Sequence, residues 1–528
     1  MSDSVRKAGV DGLRLHDYVA RWAASRPHTF AAIERGRRVT YAALSDAVDE
    51  CARAMLAAGF ERGDRVAMLA VPGVDFLTVF LATAAIGGIW VGLNPRYSDA
   101  ELSSVVERVT PRLVFANLAI EQRSYAEWLR RLSGATTTVS LGGSVDGAPH
   151  LMSKIAFLAC GAGLPPDELK RRYLETNPSD PCLIVFTSGS TGTPKGALIS
   201  HAALVGASEV QWRVWRTEPL RILNNLPINH IGCVGDLTCY ALIAGGTVVF
   251  SPRFDPADSV ALIRDEQITV WAQVPTMFQL TLDSPHFDVA ALRSLRLIFW
   301  GGAHASAELI ERLAKLGTRL ATSYGQTETV GSVAFTPEDA RLELLAGTVG
   351  RAVPPYEIRI ATSSGATAPP GESGEIEVRT PFGMSGYWGD PQATRGMLAR
   401  EGWHRTGDVG ALSAAGTLRL LGRVHDVFKS GGYNIYPQEI EAALQAHPDI
   451  RQVAVVGVPD RLYGQVAVAF VAVQKESVPP SDDALRGHLR ARVANYKVPK
   501  RFIFVRELPR LAVGKVDRQA LRELANGP

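Results

Sequence analysis

Cysteine is scarce and nothing in the sequence pairs it. Cys51, Cys160, Cys182, Cys233 and Cys239 are the five in 528 residues, the count is odd, and no CxxC spacing occurs. That excludes a disulfide framework and a thiolate zinc site, and it predicts a reducing, cytoplasmic setting. Long basic runs are missing as well. Lys and Arg number 56 against 53 Asp and Glu, a formal net charge of +3, which excludes a dedicated nucleic-acid or membrane-surface binder. Met1 to Gly12 is polar and charged and has no apolar signal-peptide core. Only one uncharged stretch, Phe76 to Leu93, reaches the length of a membrane span. It carries Gly87, Gly88 and Gly92 and runs into Asn94-Pro95. Those breakers predict a buried helix followed by a short buried strand instead. No internal repeat is visible.

What is present is an ordinary globular composition, 46% apolar and 21% charged, on a chain too long for one compact domain. Leu44 to Ala58 has apolar residues at helical spacing, and Arg65 to Leu69 reads as a strand. Ala100 to Val109 is helical again, and Leu113 to Phe115 is another strand. Such alternation predicts an α/β domain with a mainly parallel sheet. The stretch from Glu121 to Pro178 gives no clear reading. Near residue 350 the texture turns to short strands between Gly and Pro: Tyr356 to Ala361, Gly374 to Arg379 and Gly416 to Leu421. These predict a small β-rich subdomain. A compact α+β unit follows, with strands at Val453 to Val458 and Val466 to Val473, and with Leu485, Leu489 and Val493 on one helix face. The boundary is expected near Arg423 to Asp426, giving domains 1–422 and 423–528.

The sharpest local pattern is Thr187-Ser188-Gly189-Ser190-Thr191-Gly192-Thr193-Pro194-Lys195-Gly196, set between the apolar runs Leu183 to Phe186 and Ala197 to Ile199. Its glycines let backbone N–H groups approach an anion closely. The hydroxyls of Thr187, Ser188, Ser190 and Thr191 add donors and Lys195 adds charge, which suits a polyphosphate. Pro194 before the lysine rules out a Walker A loop, and the spacing is not a dinucleotide fingerprint. Composition alone leaves a flexible Ser/Gly turn open.

The full string resembles the phosphate loop of the adenylate-forming superfamily, which contains AMP-forming acyl-CoA synthetases, peptide-synthetase adenylation domains and luciferases. Further motifs follow in that family's order along nearly the whole chain. Trp300-Gly301-Gly302-Ala303 is similar to the adenine-side loop, and Tyr324-Gly325-Gln326-Thr327-Glu328 to YGxTE. The resemblance implies that Tyr324 packs on adenine, that Thr327 contacts the α-phosphate and that Glu328 helps hold magnesium. A carboxylate together with phosphate oxygens is what magnesium prefers. Trp403-His404-Arg405-Thr406-Gly407-Asp408 resembles WxxTGD, which implies Asp408 as acceptor for the two ribose hydroxyls. Arg423 is implied as a second ribose or phosphate contact.

Gly422 to Pro437 resembles the family's hinge and the loop after it, with Lys429, Ser430, Gly431 and Gly432 implied to line the pantetheine tunnel once a mobile C-terminal domain has swung. His425 stands where the family usually carries Asp or Lys. A hinge needs backbone freedom more than a particular side chain, so the hinge is kept. Pro437 should open a helix. Leu508-Pro509-Arg510-Leu511-Ala512-Val513-Gly514-Lys515 resembles LPRTxxGK, with Leu511 in place of Thr, and implies Lys515 as the catalytic lysine. Leu226-Pro227-Ile228-Asn229-His230 resembles the gate beside the acid, with His230 as gate residue.

The implied architecture is two α/β subdomains and a small β-barrel-like subdomain, followed by a small mobile α+β domain. The implied activity is ATP-dependent formation of an acyl-adenylate and then a thioester, with ATP, Mg2+ and CoA as cofactors and a small carboxylic acid as partner. No nucleic acid and no stable membrane insertion are expected, and a homodimer stays open. The acyl pocket is expected from residues after His230, from Gln273 to Thr276, from Gly301-Gly302 and from just beyond Glu328. Gly331 and Cys233 would leave room and Trp300 would cap a ring, which favours a compact acid. Three alternatives stand beside the CoA ligase: loading of a carrier-protein phosphopantetheine, a luciferase-like oxygenase, and an inactive scaffold of the same fold. Retained Lys195, Glu328, Asp408 and Lys515 speak against the last.

Overall fold

The computed structural model describes residues 14–132, 136–142, 151–187, 194–431, 433–474, 478–510 and 516–526. The expected loop residues Ser188, Gly189, Ser190, Thr191 and Gly192, together with Gly432 and Lys515, lie outside them.

Two large mixed sheets carry the N-terminal part. Among the described residues the first has nine strands. Its centre is parallel, running through Arg319–Gln326, Leu297–Trp300, Val270–Gln273, Arg221–Asn224, Thr247–Phe250 and Phe30–Glu34. Antiparallel Gly331–Phe335 and Arg37–Thr40 flank that centre. The second has eight strands; its parallel members are Pro181–Thr187, Ile89–Gly92, Arg65–Leu69, Leu113–Ala116, Thr137–Ser140 and Leu151–Ser153. Lys195–Ser200 and Gly386–Tyr387 add an antiparallel edge.

Phe76 to Leu93 folds as its glycines require. Helix Val74–Ala85 is buried along nearly its whole length. It stops ahead of Gly87, which takes a left-handed φ of 79°, and the chain then enters the fully buried strand Ile89–Gly92. No helix among the described residues is long and apolar enough to cross a membrane. Glu121 to Pro178, opaque in sequence, holds short pieces: helices Ala126–Arg131, Lys154–Ala159 and Pro166–Glu175, and the edge strands just named.

The small β subdomain is a four-stranded antiparallel sheet of Glu357–Ala361, Ser373–Arg379, His404–Leu412 and Leu418–Arg423. The expected barrel-like closure is not seen: the pairing among the described residues is an open order with Glu357–Ala361 and Leu418–Arg423 at its ends. The next strand, Phe428–Ser430, belongs to the C-terminal sheet with Tyr433–Ile435, Gly464–Val473, Ile450–Asp460 and Arg501–Phe504. That sheet buries both faces. Val455, Ala469 and Val471 pack under Leu444, Leu485 and Leu489, while Ala454, Val456 and Val468 pack under Leu521 and Ala525. Alternation along the strands assigns the two sets to opposite sides. Pro437 does open a helix, Pro437–Gln445.

Candidate active site

The sites foreseen in sequence sit where parallel strands end. Strand Leu297–Trp300 delivers Gly301 and Gly302, Arg319–Gln326 delivers Thr327 and Glu328, Arg221–Asn224 leads to His230, and Val270–Gln273 leads to Val274. Pro181–Thr187 of the other sheet leads into the phosphate loop. Crevices at the carboxyl ends of parallel strands are where open α/β sheets bind ligands, because side chains from several strands converge there.

The centre of the expected nucleotide side is Asp408. One oxygen accepts the Tyr324 hydroxyl at 2.8 Å and the Gln326 side-chain amide at 3.0 Å. The other takes the Arg423 guanidinium at 2.7 Å. Asp408 and Arg423 are direct cross-strand partners in the small sheet, so the sheet register sets this ion pair. Gln326 also donates to the Thr406 carbonyl at 3.0 Å, and the Thr406 hydroxyl donates to the Ile376 carbonyl at 2.7 Å. Burial, followed by the adjoining Asp408 charge, pushes the Tyr324 phenol well above its ordinary range. Tyr324 is therefore a neutral hydroxyl that donates to a carboxylate.

Gly325 has a steric reason. A Cβ there would lie 1.9 Å from the carbonyl oxygen of Gly331 on the paired strand, so the close approach of two backbones admits only glycine. Beyond it Gly325, Gln326, Thr327 and Glu328 are all partly exposed toward the cleft. Gly301, Gly302 and Ala303 are partly or fully exposed, and Gly302 takes a left-handed φ of 75°.

Glu328 accepts the hydroxyl of Tyr387 at 2.8 Å. Tyr387 comes from the edge strand of the other large sheet, and the Lys195 ammonium lies 5.5 Å from the centre of its ring. One phenol thus joins the base of the phosphate loop to the acidic residue. No group of three or more His, Cys, Asp or Glu side chains that could by itself hold a metal ion exists among the described residues. A cation here would be held by Glu328 and by the oxygens of a bound polyphosphate, which is how magnesium is usually carried to such sites. Thr187, at the other end of the loop, points its hydroxyl at the Lys195 carbonyl at 3.4 Å.

The four segments expected to build the acid side come together. A Cβ on Gly302 would lie 3.9 Å from the Val274 side chain, and one on Gly301 would lie 3.3 Å from the Ser323 hydroxyl. Ser323 and Ser332 are hydrogen-bonded at 2.8 Å, and a Cβ on Gly331 would lie 2.5 Å from the Asp236 carboxylate. His230 is partly exposed at the head of the helical segment that carries Asp236. The side chains of Gln273 and Asn229 are buried with unpartnered polar atoms.

Two expected pocket residues lie elsewhere. Trp300 packs in the second core with Trp271 and Leu309, on the face opposite Phe299; strand alternation turns it away from the cleft. Cys233 is fully buried, meets the Asn224 amide at 3.4 Å, and has its thiol pushed up to about 12 by burial. Of the C-terminal tunnel residues, Lys429 and Gly431 are exposed and Ser430 is partly so. Gly431 holds a φ of 56° and donates its N–H to the Tyr463 carbonyl at 2.9 Å. His425 is exposed in the turn after Arg423.

Sequence reasoning missed three residues. Tyr387 stands in Gly386-Tyr387-Trp388, which gives little signal of its own. Gln326 was passed over as the variable position of its motif. Asp236 is the one charged residue between Ile231 and Phe250, and that isolation was a usable signal.

Comparison with known proteins identifies the family. Residues 19–388 match the model of the AMP-binding enzyme family and residues 439–515 that of the AMP-binding enzyme C-terminal domain. An indoleacetate–CoA ligase of Aromatoleum aromaticum is 35% identical over 522 residues, covering 97% of this chain and 98% of the relative. A feruloyl-CoA synthase of an Amycolatopsis species is 34% identical, covering 96% and 98%. Among solved structures, ATP-bound MatB from Rhodopseudomonas palustris superposes with a TM-score of 0.84 at 29% identity, covering 97% of this chain and 99% of that one. The amide bond synthetase McbA from Marinactinospora thermotolerans superposes with 0.83 at 31%, again covering 97% and 99%. The chain belongs to the AMP-binding enzyme family, with the large N-terminal and small C-terminal domains of an AMP-forming acyl-CoA synthetase.

Proposed function

We propose that this AMP-forming acyl-CoA synthetase activates a compact, ring-bearing carboxylic acid, through the site residues described above. The observation that carries the reading is the convergence of the Tyr324–Asp408–Arg423 cluster, Glu328 and the His230, Val274, Gly301 and Gly331 segments at one set of strand ends. Relatives named for indoleacetate and ferulate support a ring-bearing acid.

A carboxylate is a poor acyl donor because oxide would have to leave. Its oxygen attacks the α-phosphorus of ATP, the bond to the β-phosphate breaks, and pyrophosphate departs. Every reactant is anionic, so the protein's work is positioning and charge stabilisation. Asp408 receives the ribose hydroxyls from a position already fixed by Tyr324, Gln326 and Arg423. Thr327 contacts the α-phosphate, Lys195 with the Thr187 loop holds the departing pyrophosphate, and Lys515 bridges carboxylate and α-phosphate. Magnesium, when bound at Glu328, supplies neutralisation of phosphate charge. The chain then swings about Gly422 to Asp426, domain 423–528 moving against 1–422. Ser430, Gly431 and Gly432 line the tunnel, the CoA sulfur attacks the acyl carbon, and AMP leaves. His230 gates the acid. We assign the protein to a reducing cytoplasm, supported by five free cysteines of which four are buried, with a homodimer as the assembly to check by light scattering.

The test is turnover with ATP, Mg2+ and CoA over a panel of aromatic, alicyclic, medium-chain and long-chain acids, with mass detection of AMP and product. AMP with an aryl or alicyclic acyl-CoA is expected. Acyl-AMP without acyl-CoA would move the acceptor to a carrier protein, or to an amine, as the name of the McbA structure suggests for that protein. Preference for a long unbranched chain would reject the compact pocket.

A further inference from the structure

The acid side contains a carboxylate that the reaction does not use. Asp236 sits on Gly232–Cys239, which winds as a π-helix beginning two residues after His230. Such wide turns are rare and cluster at functional sites. Ile231, Gly232 and Asp236 share the partly accessible side of this segment, while Cys233, Val234, Gly235 and Leu237 to Ile243 are buried. Burial pushes the Asp236 carboxyl up to about 7, yet the residue retains accessible surface.

Its protein partners do not account for it. The Ser332 backbone N–H offsets part of the effect of burial, and no salt bridge reaches the carboxylate among the described residues. The carboxyl lies against Gly331, where any side chain would collide with it. A left-handed φ of 97° at Gly331 reinforces that choice. Nearby Tyr356 is close enough to feel the Asp236 charge, and its buried hydroxyl has no hydrogen-bond partner. A largely desolvated carboxylate with no cation beside it is costly, and natural proteins keep such groups where a ligand completes them. Its neighbours Gly331, Ser332 and Ser323 are the ones that bring the Gly301 loop and the segment beyond Glu328 together.

We infer that Asp236 is a specificity residue of the acyl pocket and selects acids whose ring carries a hydrogen-bond donor, an aryl N–H or phenolic O–H, away from the reacting carboxylate. This rests on the acid-activating reading and names its substrate class. The donor would fill the lone pairs that Ser332 leaves open. An acid of the same shape without the donor would strip water from the carboxylate and return nothing, which is the situation in which enzymes discriminate strongly.

The experiment uses the full-length enzyme and matched acids: indole-3-acetate against 1-benzothiophene-3-acetate, and 4-hydroxycinnamate against 4-methylcinnamate. Pyrophosphate release gives kcat/KM for the wild type, Asp236→Asn and Asp236→Ala. The wild type should favour the donor-bearing member of at least one pair by about tenfold or more. Asp236→Ala should bring that ratio to within about twofold of unity while its rate on the donor-free acid holds or rises. Asp236→Asn, which keeps an acceptor oxygen and the shape, should restore part of the preference. A ratio unchanged in Asp236→Ala, or equal losses on both members, would overturn the inference and leave the ligase reading standing. So would a wild type that prefers the donor-free acids. Absence of pyrophosphate with every acid, simple aryl acids included, would strike the ligase reading itself and the pocket with it.

Discussion

The two halves of the cleft are built on opposite terms. On the nucleotide side the polar groups satisfy one another: Asp408 is held by Tyr324, Gln326 and Arg423, and Glu328 by Tyr387. On the proposed acid side no salt bridge reaches Asp236 among the described residues, and Gln273, Asn229 and Tyr356 carry buried polar atoms without partners. A network completed by the protein is preorganised for a ligand that never changes. Atoms left unsatisfied ask the ligand to complete them, and that makes them selective.

The largest test of that contrast falls on the nucleotide side. Lys515→Ala should lower adenylation by about 10²–10³-fold, the scale on which a single transition-state charge contact acts. Thioester formation from supplied acyl-AMP should be largely spared. Equal loss in both half-reactions would reject the assignment of Lys515 to the first alone.

Asp408→Asn comes next. Hydrogen bonds to charged groups contribute about 1.5–3 kcal/mol, so KM for ATP should rise by about one to two orders of magnitude while KM for the acid hardly moves. A matching rise for both substrates would mean that the two halves are coupled and would break the comparison. Tyr387→Phe removes one bond to Glu328 and should cost about tenfold in kcat/KM for ATP. Raising magnesium should recover part of it, because the lost contact orients the residue proposed to hold the cation. A deficit indifferent to magnesium would assign Tyr387 to packing alone.

Most of the architecture was open to sequence reasoning because it rests on periodicity. The α/β alternation, the buried Phe76 to Leu93 hairpin of helix and strand, the β-rich insert and the C-terminal unit all follow from apolar spacing and from breakers. The proposed nucleotide contacts could be named from sequence because contiguous strings such as Tyr324 to Glu328 carry them. What escaped depends on facing. Trp300 looked like a pocket wall, but its neighbour Phe299 takes the other side of the strand, and a phase error of one residue reverses inside and outside. Cys233 was named for its small size alone, and the π-helix turns it into the core. Tyr387 reaches Glu328 across 59 positions of sequence, through a sheet edge that no local pattern announces.

The smallest expected effect probes the acid side without any substrate. Burial raises the Asp236 carboxyl from 3.8 to about 7 in the folded protein. Between those values the unfolded chain releases its proton first, so the folded state binds more protons and stability falls as pH rises. The contribution is fully present below pH 3.8 and is lost once pH has passed about 7. The whole separation would correspond to about 4 kcal/mol, and solvent at the partly accessible Asp236 should offset most of it, leaving about 1 kcal/mol. Asp236→Asn does not titrate. Its unfolding temperature should therefore gain on the wild type by a degree or two between pH 5 and pH 8 and then hold level at higher pH. A difference constant across that range would mean that the carboxylate already has a full set of partners, and the acid side would then be as self-satisfied as the nucleotide side.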